Sequence, residues 1–148
     1  MEKITSFTIY HILLQPGLYV SRKDKMGEQT VTTFDLRLTK PNDEPVMNTA
    51  EVHTIEHVAA TYLRNEPNWQ EKVLYFGPMG CCTGFYLLVR DADNEQVLAT
   101  VKDVLKKCVE HNGEIFGCSE IECGNYRTLE LTCAKSVCKE YLDILNSK

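Results

Sequence analysis

Apolar and polar residues alternate with a period of two at several places along the chain, a spacing that predicts strands. At 4–14, Phe7, Ile9 and His11 alternate with Thr8 and Tyr10, which predicts a first strand. Pro16-Gly17 punctuates, Leu18-Tyr19-Val20 opens a second extended segment, and the polar, glycine-containing stretch 22–28 reads as a turn. At 30–39, Thr32, Phe34, Leu36 and Leu38 share an apolar face, while Asp35 and Arg37 point to the other side. Pro41-Asn42-Asp43-Glu44-Pro45 is a loop. The spacing then changes to that of a helix. Val52, Ile55, Val58, Ala59, Tyr62 and Leu63 form one wide stripe, Asn48 or Thr49 supplies the cap, and Pro67 stops a helix running to about Asn65. Stretches 73–76 and 85–89 read as strands around the turn-rich Gly77-Pro78-Met79-Gly80-Cys81-Cys82-Thr83-Gly84. Val97, Leu98, Val101, Val104, Leu105, Cys108 and Val109 predict a second helix. Residues 114–124 are irregular, and a last helix carries Leu129, Ala134, Val137, Cys138, Tyr141, Leu142 and Leu145. The order predicts an α+β fold, an antiparallel sheet covered by helices on one side, in a single domain spanning 1–148.

Composition narrows the function. At 148 residues, 43% hydrophobic and 25% charged, the chain has ordinary globular values. The net charge is −5 and no stripe of Lys and Arg forms, which argues against nucleic acid and anionic membranes as partners. No apolar run is long enough to span a bilayer, and Met-Glu-Lys-Ile-Thr lacks the apolar core of a signal peptide. Seven cysteines, two of them adjacent, suit a reducing compartment better than a disulfide framework. A cytoplasmic protein is expected.

The chemistry concentrates at His53-Thr54-Ile55-Glu56-His57. Histidines four apart stack on one helix face and can share a metal ion, with Glu56 close enough to move protons beside it. The same spacing also describes two surface histidines and a solvated glutamate. A tight site needs a third ligand. Cys123, in Glu122-Cys123-Gly124-Asn125, is the best candidate, since a thiolate with two imidazoles suits Zn²⁺, Fe²⁺ or Co²⁺. Taken alone it is weak evidence, because a loop cysteine is more often an unremarkable small residue. Cys81, flanked by glycines in a turn, becomes a proton donor or acceptor near neutral pH if a cation lies beside it. The turn reads as readily as a structural one with two inert cysteines.

Together these pieces resemble the S-ribosylhomocysteine lyase (LuxS) family nearly end to end. Ser6-Phe7 with His11, Phe34-Asp35-Leu36-Arg37 followed by Pro41-Asn42, the His53–His57 helix with Arg64, Pro78-Met79-Gly80-Cys81 with Thr83-Gly84-Phe85-Tyr86-Leu87, and Glu122-Cys123-Gly124 match its blocks in order and spacing. The resemblance implies an inverzincin-like metalloenzyme fold and a homodimer with active sites near its interface. It implies one Fe²⁺ per subunit, replaceable by Zn²⁺ or Co²⁺, on His53, His57 and Cys123. Glu56 and Cys81 would be the catalytic proton-transfer groups, with Arg37 holding Cys81 as thiolate. Ser6 and His11 would bind sugar hydroxyls, and Arg64 the homocysteine carboxylate. The implied reaction converts S-ribosylhomocysteine to homocysteine and 4,5-dihydroxy-2,3-pentanedione, the autoinducer-2 precursor of quorum sensing, within the methyl cycle.

Tyr10, Thr33, Tyr75 and Cys82 depart from the family pattern, mostly at the amino-acid end of the pocket. They raise the alternative of a member that binds another thioether sugar or is not catalytic. A zinc metallopeptidase, which shares H-x-x-E-H, is the other alternative. It would take Glu130 as third ligand and has no need of Cys81 or Cys123.

Overall fold

A computed structural model describes residues 1–43 and 45–148; Glu44, in the expected 41–45 loop, lies outside the described residues. Four strands form one antiparallel sheet in the order β1-β2-β4-β3: β1 Gly17–Met26, β2 Gln29–Arg37, β3 Val73–Pro78 and β4 Gly84–Arg90. Three helices, α1 Thr49–Asn65, α2 Asn94–Glu110 and α3 Leu131–Asn146, cover one face. The expected α+β arrangement is the observed one.

The two longer helices start at boxes that the sequence spells out. Asn48 Oδ1 accepts from the Glu51 N–H (3.0 Å) while the Glu51 carboxylate accepts from the Asn48 N–H (2.8 Å). Asp93 and Gln96 repeat the arrangement at α2. Each box satisfies backbone donors that the first helical turn leaves unpaired. The stripe of α1 then packs Ile55, Val58, Ala59 and Leu63 against Phe34 and Leu36 of β2, Phe85 and Leu87 of β4, and the apolar faces of α2 and α3. Leu87, on a central strand, has no exposure at all. Leu87→Ala should lower unfolding free energy by about 2–5 kcal/mol, read by urea denaturation at fixed protein concentration. A loss below about 1 kcal/mol would mean that the core lies elsewhere.

Two expectations fail. Residues 4–14 form no strand: Thr5–Phe7 is a 3-10 turn and bends follow, leaving Phe7, Tyr10, Ile12 and Leu13 exposed. Their alternation records exposed side chains rather than a pleat packed on a core. Residues 22–28 are mostly strand, because β1 continues past a bulge at Val20/Arg22 and only Gly27 and Glu28 turn. That part is an edge, open to water, so it carries no apolar face to reveal it. A smaller shift concerns Leu129, which lies between the 3-10 turn Tyr126–Thr128 and α3 rather than within the last helix.

Candidate active site

Helix α1 brings His53 and His57 to half-buried positions on one flank, their rings edge to face at 4.7 Å between centroids. The irregular chain between α2 and α3 returns to this flank and delivers Cys123. Ligand atoms of His53, His57 and Cys123 all lie within 4.8 Å of one another, and Cys123 Sγ is 3.4 Å from His53 Nε2. The ring nitrogens facing away are already committed. His57 Nδ1 lies 2.7 Å from the Phe116 carbonyl oxygen, which can only accept, so Nδ1 carries the proton and Nε2 a free lone pair. His53 Nδ1 lies 2.7 Å from Thr128 Oγ1, whose own hydroxyl donates to the Asn125 carbonyl at 3.1 Å; it too is set as an Nδ1–H donor. Such outer bonds orient imidazoles toward a metal. The Asn125 N–H donates to Cys123 Sγ at 3.4 Å, which fixes the direction of the sulfur. Burial, then the charge of His57, lowers the His53 pKa, so it is held neutral as a ligand must be, although Glu56 opposes. The donor set fits a divalent ion of the Zn²⁺, Fe²⁺ or Co²⁺ kind.

Gly117 is part of this wall. Its φ is +69°, and a Cβ there would stand 3.2 Å from His57 Nδ1. A side chain would strain the backbone and press on the imidazole together.

A second cluster forms on the sheet face turned away from the helices. Asp35 and Arg37, expected to point out from the core, do so, yet both are only 1% exposed. Arg37 Nη2 donates to Asp35 Oδ2 at 2.6 Å and Nη1 to Thr83 Oγ1 at 2.5 Å. Nη1 also reaches Cys81 Sγ at 3.8 Å. Thr83 Oγ1 accepts from arginine, which leaves its hydroxyl proton to meet Cys81 Sγ, 3.0 Å away. Gly84 makes this meeting possible: a Cβ there would lie 2.3 Å from the Leu36 carbonyl oxygen, so only glycine lets β4 begin so close to β2. Burial alone would raise the Cys81 pKa. The Thr83 side chain and backbone bonds, with the Arg37 charge, outweigh it and hold the thiol below its ordinary value. Thr83→Val should therefore move the pH profile of Cys81 alkylation, followed by peptide mass mapping, to higher pH. An unmoved profile would show that the hydroxyl does not support the thiolate.

The remaining expected residues fall as follows. Ser6 lines a cleft of about 680 Å³ on the same outer face, together with Thr33, Tyr75 and Tyr86. His11 directs Nδ1 to the Ile9 carbonyl oxygen at 2.9 Å and acts by its charge on Asp35. Arg64 donates from both terminal nitrogens to the carbonyls of Val73 (3.2 Å) and Leu74 (3.4 Å), tying α1 to β3. Glu130 does not join the imidazoles. Its carboxylate accepts from the Thr132 and Cys133 N–H groups, both at 2.9 Å, as the cap of α3, and Cys133 and these bonds hold its pKa at about 2. The peptidase alternative loses its third ligand. Sequence reasoning missed Thr83, Thr128, Gly117 and the Phe116 carbonyl. Thr83 sat inside a quoted block, but a backbone carbonyl leaves no mark in a sequence.

The family model for S-ribosylhomocysteinase (LuxS) matches residues 4–148. Proteins named S-ribosylhomocysteine lyase are similar along the whole length. The one from Clostridium acetobutylicum is 50% identical, covering 99% of this chain and 94% of its own. That from Finegoldia magna is 52% identical with the same coverage, and that from Borreliella burgdorferi 48%. The chain belongs to the S-ribosylhomocysteinase (LuxS) family.

Proposed function

We propose that this family member is itself an S-ribosylhomocysteine lyase, releasing homocysteine and 4,5-dihydroxy-2,3-pentanedione from S-ribosylhomocysteine. The observation that carries the reading is the meeting of His53, His57 and Cys123 in a chain about half identical, end to end, to relatives of that name. Those three residues would hold one divalent ion per subunit, Fe²⁺ on our reading, with Zn²⁺ or Co²⁺ able to replace it. An ion held there would supply Lewis acidity toward a carbonyl of the open-chain sugar.

The protein's own groups move the protons. The carbonyl shifts from C1 to C2 to C3, and each shift takes a proton from one carbon and returns one to its neighbour. With the carbonyl at C3 the thioether is β to it, and loss of a further carbon-bound proton expels homocysteine. Glu56, on the metal helix, is one transfer group; its charge acts on His53. Cys81, kept ready as thiolate by Thr83 and Arg37, is the other. Ser6 and His11 meet the sugar hydroxyls. Arg64 is the group for the substrate carboxylate, which as an anion would be a stronger acceptor than the two neutral carbonyls it now holds.

The two transfer groups stand on different layers: Glu56 on the helices, Cys81 exposed beside the buried Arg37 of the opposite sheet face. Among the described residues no hydrogen bond or ion pair joins them. A homodimer with active sites near its interface would let one chain's Cys81 serve the other's metal. The exposed Ile4, Phe7, Tyr10, Ile12 and Leu13 beside the outer face support such a contact. Among the described residues no helix is long and apolar enough to cross a membrane. The seven unpaired cysteines support a cytoplasmic location. The diketone product places the protein in autoinducer-2 synthesis and the methyl cycle.

Protein loaded anaerobically with Fe²⁺ should release thiol from S-ribosylhomocysteine, and metal-stripped protein should not. Thr33 and Tyr75, in the same cleft as Ser6, favour a second reading in which the amino-acid end of the substrate differs. Metal-loaded protein that releases no thiol from S-ribosylhomocysteine but does so from another thioether sugar would establish it.

A further inference from the structure

The chain from 112 to 124 has no helix or strand of its own, yet it must hold the Phe116 carbonyl still enough to fix a metal ligand. Its anchor is the Phe116 ring. Tyr62 meets that ring edge-on, with 5.4 Å between centroids and an 88° angle, and His111 tilts against it at 4.9 Å. His111 is buried, and its ring is bonded on both sides. Nε2 lies 2.9 Å from the Glu114 carbonyl oxygen and so must carry the proton. Nδ1 is then a bare acceptor, and the Tyr62 hydroxyl donates to it at 2.8 Å. The His111 carbonyl is held in turn by Lys135 Nζ of α3 at 2.8 Å. Tyr62 and His57 both rise from α1. The contacts therefore close a ring: from α1 through His57 to the Phe116 carbonyl, through the Phe116 and His111 rings, and back by Tyr62.

We propose that Tyr62 and His111 are positioning residues for the metal, clamping Phe116 so that its carbonyl aims His57 Nε2 at the ion. The inference rests on the reading of His57 as a ligand. Neither residue touches the ion or the substrate. Their effect is on how long the metal stays and on the shape of its coordination. Tyr62→Phe keeps the ring contact and removes the hydroxyl bond. His111→Leu removes both bonds of the imidazole, whereas His111→Gln retains an amide that can donate to Glu114 and accept from Tyr62.

The test uses full-length protein loaded with Co²⁺, following the visible spectrum of the bound ion and its release into excess EDTA. His111→Leu should release cobalt about 10- to 100-fold faster with a shifted spectrum. Tyr62→Phe should move both in the same direction by less, and His111→Gln should stay close to the parent. If His111→Leu does not fold, by circular dichroism, Tyr62→Phe and His111→Gln decide. Parental release and spectrum in the folded leucine and phenylalanine variants, with cobalt lost from His57→Ala, overturn this proposal alone. Full retention of cobalt by His57→Ala overturns the ligand reading beneath it.

Discussion

Glu56→Gln is expected to lower thiol release by about 10²–10⁴-fold, toward the upper end, while the protein keeps its full metal content. The amide has nearly the shape of the carboxylate and donates hydrogen bonds, but it takes up no proton at neutral pH. Every carbon-to-carbon shift and the final elimination need a base, so one deletion is felt at several steps. A loss of that size is about 3–5 kcal/mol of barrier. Retention of metal separates this role from that of a ligand. Metal loss in Glu56→Gln would place the carboxylate in the coordination shell, and near-normal turnover would remove it from the chemistry.

Cys81→Ala should produce a loss of similar size, again with metal retained. Its thiol is held low by contacts that serve no evident packing need: a buried Arg37, a Thr83 hydroxyl turned toward sulfur, and an Asp35 that fixes the arginine. Among the described residues, Asp35 Oδ1 and Arg37 Nε have no hydrogen-bond partner although buried, an arrangement that costs stability and is tolerated where function needs it. If metal is lost from Cys81→Ala, the thiol has been assigned the wrong task. The two variants also test how the site is assembled. In the proposed homodimer Glu56 and Cys81 of different chains complete each site, so mixing the two inactive proteins under subunit exchange should restore activity through one intact site per mixed dimer. No recovery on mixing would mean that each chain completes its own site.

What could be read from the sequence was what local forces decide. Helix α1 was legible because its apolar stripe, its Asn48 cap and Pro67 agree. The pairing of His53 with His57 follows from helix pitch alone. The third candidate ligand is different: Cys123 lies 70 positions from His53, and tertiary packing alone brings them to 3.4 Å. Its chemistry made it a candidate, but no local spacing could place it. The outer face of β2 was read correctly in direction, but the burial of Asp35 and Arg37 depends on what covers that face. The segment 4–14 misled because alternation marks side chains on two sides and does not say that either side meets a sheet. The Phe116 carbonyl, Gly117 and the Thr128 hydroxyl were invisible for a related reason: they act on the histidines through backbone geometry that exists only after folding.

The proposed metal site needs the Cys123 sulfur to close it, and metal content measured after separate replacement of Cys123 and Glu130 tests this most directly. Glu130→Ala should retain one ion per chain, since its carboxylate only caps α3, and Cys123→Ala should come away from purification nearly metal-free. Full metal in Cys123→Ala, or loss of metal from a folded Glu130→Ala, would contradict it.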